Sequence, residues 1–279
     1  MEKKYQDLIS SVLTVERKLN MNKIRELRFG PAGTWKTSSI VNTYPKPMLV
    51  SNWDSGGLDS VTLPKLILSE PDLDSALKNP AFLWDGEVRV FVRDYTERVA
   101  MIGESYLTKT SAIPMQSQIR DFNRLISASP CPIETLVIDG GTRFIESLMS
   151  FIMNLNGKDR PNMDLYGLLG MKAVELFNNI VSSLPCHVVI TAHSQTEKDE
   201  LTGETYILPN MLGSIREKIG GIMSQYLYST VEMDTTGVNR GKVWTQPKGL
   251  CKGLKMRWPQ DRPAVCNPDF ESLYGELKK

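Results

Sequence analysis

Gly30, Gly33, Lys36 and Thr37 have the types and spacing to hold a phosphate chain, within the run Gly30-Pro31-Ala32-Gly33-Thr34-Trp35-Lys36-Thr37-Ser38. The run falls one residue short of the pattern G-x-x-x-x-G-K-[ST]. Glycines let the backbone curl into a nest of N–H groups, and a helix starting behind the nest adds a positive field. Lys36 is then placed to reach the β- and γ-phosphates, and the Thr37 hydroxyl to ligate Mg2+. The departure is Trp35, which stands where the pattern has glycine. An indole there must point outward, or the nest must distort. A chance cluster of Gly, Lys and Thr is the competing reading.

A second feature supports the first. Leu136-Val137-Ile138-Asp139 is an apolar strand ending in aspartate, well downstream of the loop. Such an aspartate holds Mg2+ in P-loop enzymes, usually through water; otherwise it caps the next helix. Elsewhere the metal-ligating residues are sparse. His187 and His193 are the two histidines, and Cys131, Cys186, Cys251 and Cys266 include no C-x-x-C pair. A zinc site or a disulfide framework is therefore not expected, and reduced, mostly buried thiols fit a cytoplasmic protein.

The elements that must position these residues alternate along the chain. Residues 1–20 pattern as an amphipathic helix. Ile24–Phe29 reads as a strand, the loop follows, and a helix covers Lys36–Thr43. Pro47–Asn52 holds a short apolar run that ends in the turn Trp53-Asp54-Ser55-Gly56-Gly57. Val88–Val92 is a strand, Ile119–Ser127 a helix, Glu134–Asp139 a buried strand and Thr142–Leu155 a helix. A long helix over Asp164–Leu184 leads to the strand His187–Ala192, and Gln225–Met233 and Lys242–Thr245 are further strands. Pro64–Phe82 reads as an exposed connection, and Met149, Met153 and Met163 as core filling. Strands separated by helices imply right-handed crossovers and a mostly parallel sheet covered on both faces.

Composition bounds the function. With 279 residues the chain can bury roughly three quarters of its unfolded surface, so it needs no metal or disulfide staple. Lys+Arg number 33 and Asp+Glu 32, for a net charge of +1, which excludes a uniformly basic coat. No apolar run approaches a membrane span, and the first residues lack a signal-peptide pattern. The charge is uneven, however. Arg240, Lys242, Lys248, Lys252, Lys255, Arg257 and Arg262 face the single acidic Asp261, and Trp244 and Trp258 are interleaved. That stretch is either a single-strand-binding patch with stacking aromatics or a solvated basic face.

In this order the pieces GPAGTWKTSS, PMLVSNWDSGG, ETLVIDG, DLYGLLG, LPCHVVITAHSQTEKD, YILPNMLGSIREKIGG and the basic stretch resemble the RecA-type ATPases. The likeness is strongest to small phage-encoded nucleotide-binding proteins, some of which act in recombination or single-strand annealing. The resemblance implies a RecA-like P-loop core at 24–258, between an N-terminal helical extension (1–23) and a C-terminal tail (259–279). It also implies Mg2+-dependent ATP hydrolysis on single-stranded DNA in phage recombination or replication, in the host cytoplasm. The partners it implies are further copies in a ring or filament and a single-stranded DNA-binding protein.

By position, Asp54 corresponds to the acidic residue that activates water, usually a glutamate. His193 corresponds to the polar residue that senses the γ-phosphate, with Gln195 in reserve, whereas His187 at the strand's start reads as a core residue. Lys255-Met256-Arg257 resembles the paired finger that such rings insert into a neighbour's site. The same residues compete for a DNA role. Two other functions remain open on sequence alone, a P-loop kinase of a small molecule and a non-hydrolysing scaffold with a degenerate loop.

Overall fold

The computed structural model describes residues 23–79, 88–96, 112–247, 249–251, 253–257 and 262–275. Its strands are β1 (Arg25–Gly30), β2 (Met48–Asn52), β3 (Lys65–Ile67), β4 (Val90–Asp94), β5 (Thr135–Asp139), β6 (His187–Lys198), β7 (Thr205–Pro209), β8 (Gln225–Met233), β9 (Asn239–Trp244), β10 (Lys255–Met256) and β11 (Val265–Cys266). Its helices are α1 (Lys36–Thr43), α2 (Glu70–Lys78), α3 (Ala112–Ser127), α4 (Gly141–Leu155), α5 (Met163–Glu175), α6 (Ile215–Ile222) and α7 (Phe270–Tyr274). The strands form one sheet in the order β11-β9-β8-β1-β6-β5-β2-β4-β3, with β10 on β8 and β7 on β6. Pairing is parallel from β8 through β1, β6, β5, β2 and β4 to β3, and antiparallel at the β9, β10, β11 and β7 joins.

Alternation along the strands builds two cores. Leu27, Phe29, Leu136, Ile138, Val188 and Ile190 face α3, α4, α5 and α6. Met48, Val50, Val137 and Val189 face α1 and α7. Both faces are covered, which is why β2, β5 and the first half of β6 read as nearly continuous apolar runs, whereas β1 alternates apolar with buried charged residues. This is the RecA-like P-loop core expected from the sequence. None of the described helices is long and apolar enough to cross a membrane.

Register then decides what meets at the carboxyl edge. Gly30 pairs with His193, and Asp139 pairs with Asn52, two residues before Asp54. β6 lies between β1 and β5, so the end of β6 stands between the loop and Asp139.

Several elements depart from expectation. The stretch read as a connection after Pro64 holds β3 and α2, and α2 buries Leu73 and Ala76. The signal was Ser69-x-x-Asp72, a capping box with Pro71 in the first turn. α3 is already helical at Ala112, seven residues before Ile119, and includes Pro114. The helix expected over 164–184 runs α-helical only to Glu175 and then widens into a π-helical turn, Leu176–Val181. β6 continues past Ala192 and leaves the sheet as a hairpin with β7. The N-terminal extension, except Lys23, lies outside the described residues.

The expected C-terminal tail is part of the core over its described residues, 262–275. β11 pairs with β9, and Phe270, Leu273 and Tyr274 are buried. A polar network holds them. Arg28 and Glu26, both on β1 and fully buried, pair at 2.6 Å. Glu26 Oε2 accepts from Tyr274 Oη at 2.6 Å and from Tyr44 Oη at 2.5 Å, while Arg28 donates to Tyr44 Oη, Ser39 Oγ and the Pro268 carbonyl. Removing one charge leaves the other buried and unpaired, so Arg28→Met should cost about 3–5 kcal/mol. Tyr274→Phe loses one hydrogen bond and should cost about 1–2 kcal/mol. Urea unfolding measures both, and an unchanged midpoint in Arg28→Met would show that the network does not hold the C-terminal segment.

Candidate nucleotide-binding site

The loop after β1 and the start of α1 line a cleft of about 400 Å3, together with Asp54, Gly57, Asp139, Thr191 and His193. Local backbone geometry explains the shape. Gly33 has φ 73° and Trp35 φ 55°, so two left-handed residues turn the chain sharply before the helix. Trp35 is the only non-glycine with positive φ among the described residues. That conformation costs about 1–2 kcal/mol for a residue with a Cβ. The nest keeps its turn and the indole points outward, 44% exposed.

Lys36 is 9% exposed and its ammonium is held inside the loop. Nζ donates to the carbonyls of Pro31 at 2.7 Å and Gly30 at 3.0 Å, and lies 3.3 Å from Thr34 Oγ1. Burial pushes its pKa down to about 8, against the opposing pull of Asp139 and Asp54. Lys36 is therefore a desolvated cation whose charge is held less firmly than an exposed lysine's.

Asp139 is 2% exposed. Its Oδ1 accepts from Thr37 Oγ1 and from Thr191 Oγ1, each at 2.6 Å. Thr191 in turn accepts from the Gly140 amide at 3.0 Å. Oδ2 is buried without a hydrogen-bond partner among the described residues. Burial raises the Asp139 carboxyl above its ordinary pKa, the two threonine hydrogen bonds oppose this, and the nearby Asp54 adds to the rise. An orphaned carboxylate oxygen beside a threonine hydroxyl fits a hard divalent cation such as Mg2+, which takes oxygen ligands.

Asp54 sits in the turn after β2, anchored by its neighbour. The Trp53 amide donates to the Asp139 carbonyl at 2.8 Å, and the Trp53 indole stacks on Tyr95 and donates to Gln118 Oε1 at 3.2 Å. Asp54 Oδ2 lies 3.5 Å from His193 Nε2, both partly exposed. The structure thus brings Lys36, Thr37, Asp54, Asp139 and His193 to one cleft. Gln195 lies in the hairpin and does not line it. His187 belongs to the core: burial pushes its pKa down to about 4, and neutral Nδ1 accepts from the Ile24 amide at 3.0 Å.

Lys255 and Arg257 lie elsewhere. Lys255 lies on β10, and just past that strand the Arg257 amide still donates to the Ser224 carbonyl at 3.3 Å, at the near end of β8. Lys255 pairs with Tyr226 and Met256 with Gln225, whereas the loop lies level with the far end, beyond Tyr228. At about 3.3 Å per residue this puts them about 10 Å or more down the sheet from the protein's own cleft. Lys255 Nζ donates to the Gly221 carbonyl at 3.3 Å, and Arg257 is exposed. Arg240 pairs with Asp234 at 2.8 Å, and Lys242 donates to Asn267 at 3.0 Å. Lys248, Lys252, Trp258 and Asp261 lie outside the described residues.

The family model described as an AAA domain matches residues 22–252. The chain belongs to this family. It is a P-loop NTPase, and the loop at 30–38, which departs from the strict pattern at Trp35, sits inside the matched region. No curated protein matches the sequence. Among solved structures, the chain is similar to the assembled ATPase EscN of the enteropathogenic E. coli type III secretion system. One such structure, in complex with the central stalk EscO, shows 10% identity and a TM-score of 0.39, covering 75% of this chain and 42% of that one. Another, of EscN alone, shows 9% identity and a TM-score of 0.38, covering 74% and 43%. This AAA-domain chain spans less than half the length of those EscN chains.

Thr191 and Gly57 were missed by sequence reasoning. Thr191 looked like one strand residue among many. Gly57 looked like turn material, but a Cβ there would lie 2.0 Å from Asp139 Oδ2. Gly57→Ala should push Asp139 away from Thr37 and Thr191 and destabilise the fold by about 1–3 kcal/mol. A Cβ at Gly56 meets nothing within 4 Å, so Gly56→Ala is the control. Equal thermal midpoints for the two variants would count against a tight seat for Asp139.

Proposed function

We propose that the protein binds Mg2+–ATP at Gly30–Ser38 and hydrolyses it, working as a homo-oligomer on single-stranded DNA. The observation that carries the ATPase reading is Asp139, hydrogen-bonded by Thr37 at 2.6 Å with its second oxygen buried beside the loop and without a partner among the described residues. Thr37 and Asp139 would hold Mg2+, which supplies charge neutralisation on the phosphate oxygens. Lys36 exchanges the Gly30 and Pro31 carbonyls for phosphate. Asp54 accepts the proton of the attacking water, and His193, across from it, senses the terminal phosphate. Aspartate is shorter than the usual glutamate; the Gly56 amide at Oδ1 and His193 Nε2 at Oδ2, each at 3.5 Å, support a base held from two sides.

The partner assignment rests on other residues. Lys255 and Arg257 stand too far down the sheet to serve their own cleft, which favours a role on a neighbouring subunit. The hairpin after His193 carries Glu197, Asp199, Glu200 and Glu204 against Lys198 alone, so DNA contact falls to the basic stretch from Arg240. The phage recombination or replication setting rests on the resemblance of the sequence.

Mg2+–ATP at 100 times its Kd should stabilise the protein by about 2.7 kcal/mol, and Lys36→Ala should abolish this shift. Asp54→Asn should bind ATP and turn over at least a hundredfold more slowly. Below pH 8 Lys36 carries the charge that phosphate binds. As pH rises through about 8 the free protein loses it, so ATP affinity should fall above pH 8 and not below. Unchanged affinity in Lys36→Ala would remove the loop from the reading, and a parent that binds without turnover would favour a scaffold.

Mixing Lys36→Ala subunits with Lys255→Ala/Arg257→Ala subunits should restore part of the turnover if the finger acts in trans. Single-strand affinity should fall with salt by about 0.7 log units per log unit of salt for each phosphate neutralised. No recovery on mixing, with DNA affinity lost in the double variant, would reassign the pair to DNA.

A further inference from the structure

Trp35 is the one part of the loop that phosphate chemistry does not explain. A glycine would adopt its backbone conformation without strain, yet the position carries the largest side chain available. The indole is not filling a core, because it is 44% exposed and lines the cleft. It is nevertheless seated. A Cβ on Gly241 of β9 would lie 3.1 Å from Trp35 Cε3 and 3.3 Å from Pro268 Cγ, so the bare backbone of Gly241 lets ring and proline close over the strand. The result is a fixed aromatic at the mouth of the cleft with room left for a partner.

The order of strands gives the direction of a bound nucleotide. From one side to the other stand β9, with the indole against it, then β8, then β1 with the loop, then β6 with His193, β5 with Asp139 and β2 leading to Asp54. The terminal phosphate belongs beside Asp54 and His193, where water is activated. The rest of the molecule then leaves the loop in the opposite direction, toward β9. We propose that the Trp35 indole is the platform on which the nucleobase stacks, so that the residue breaking the phosphate-loop pattern supplies the base subsite. This rests on the nucleotide reading of the loop. Stacking uses the π-face that every base has, and larger purines gain more from it than pyrimidines.

The test separates base from phosphate by calorimetry with Mg2+, using ATP, UTP and inorganic tripolyphosphate as probes. Trp35→Gly relieves the left-handed strain and keeps the loop's N–H groups, so it is expected to fold. It should lose about tenfold or more in ATP affinity while tripolyphosphate affinity stays within about twofold. The preference of the parent for ATP over UTP should shrink with it. Trp35→Phe should retain most of the ATP affinity. Equal losses for ATP and tripolyphosphate would mean that the indole acts through loop shape, and no loss for either would mean that it is only a cover for β9. Both results overturn the proposal. A parent that binds none of the three probes would overturn the nucleotide reading itself.

Discussion

One buried carboxylate organises the carboxyl edge of this sheet. Asp139 draws hydroxyls from two different elements onto a single oxygen, Thr37 from α1 and Thr191 from β6. Its backbone carbonyl takes the Trp53 amide and so fixes the turn that carries Asp54. A carboxylate this deep is costly unless it is hydrogen-bonded, and half of it is not. Oδ2 has no partner among the described residues, and Gly57 leaves it room that any side chain would fill. The geometry of loop, strand and turn therefore depends on a group whose own satisfaction is incomplete.

The same imbalance recurs in the loop. Lys36 is desolvated and tied to carbonyls, while Trp35 is held in a left-handed conformation that glycine would accept freely. A half-satisfied carboxyl, a cation shifted toward neutrality and a strained backbone residue lie within one cleft. Such features persist when the surrounding structure over-determines them, and they cluster where a ligand completes the arrangement. Here the scaffold is two apolar cores, one on each face of a sheet whose central strands are nearly all buried.

Stability and chemistry meet on β1. Its outward alternation puts Glu26 and Arg28 on the face opposite Leu27 and Phe29, in a network that reaches Tyr44 after α1 and Tyr274 in α7. Arg28 also donates to the carbonyl of Pro268, the residue that covers Gly241 together with Trp35. The C-terminal segment thus closes the sheet beside the loop and backs the seat of the indole. A cut after the basic stretch would remove both supports.

Much of this was legible in the residues. Alternating buried runs and amphipathic stretches determine a parallel sheet, because period-2 and period-3.6 burial cannot be met by the same chain segment. Gly30–Thr37 and Leu136–Asp139 announce a phosphate site, because those residue types have few other reasons to follow strands in that order. What only the tertiary structure decided involves residues distant in sequence. Thr191 and Gly57 acquire meaning from the register that sets β5 beside β6 and the turn after β2. Lys255 and Arg257 are set beside the near end of β8, away from the loop, by a pairing that only the returning chain supplies. The described C-terminal residues, unremarkable as sequence, are core because a buried Glu–Arg pair needs their tyrosine. Local spacing cannot report such things, since parallel pairing joins residues through long crossovers and a buried charge takes its partners from wherever the chain returns.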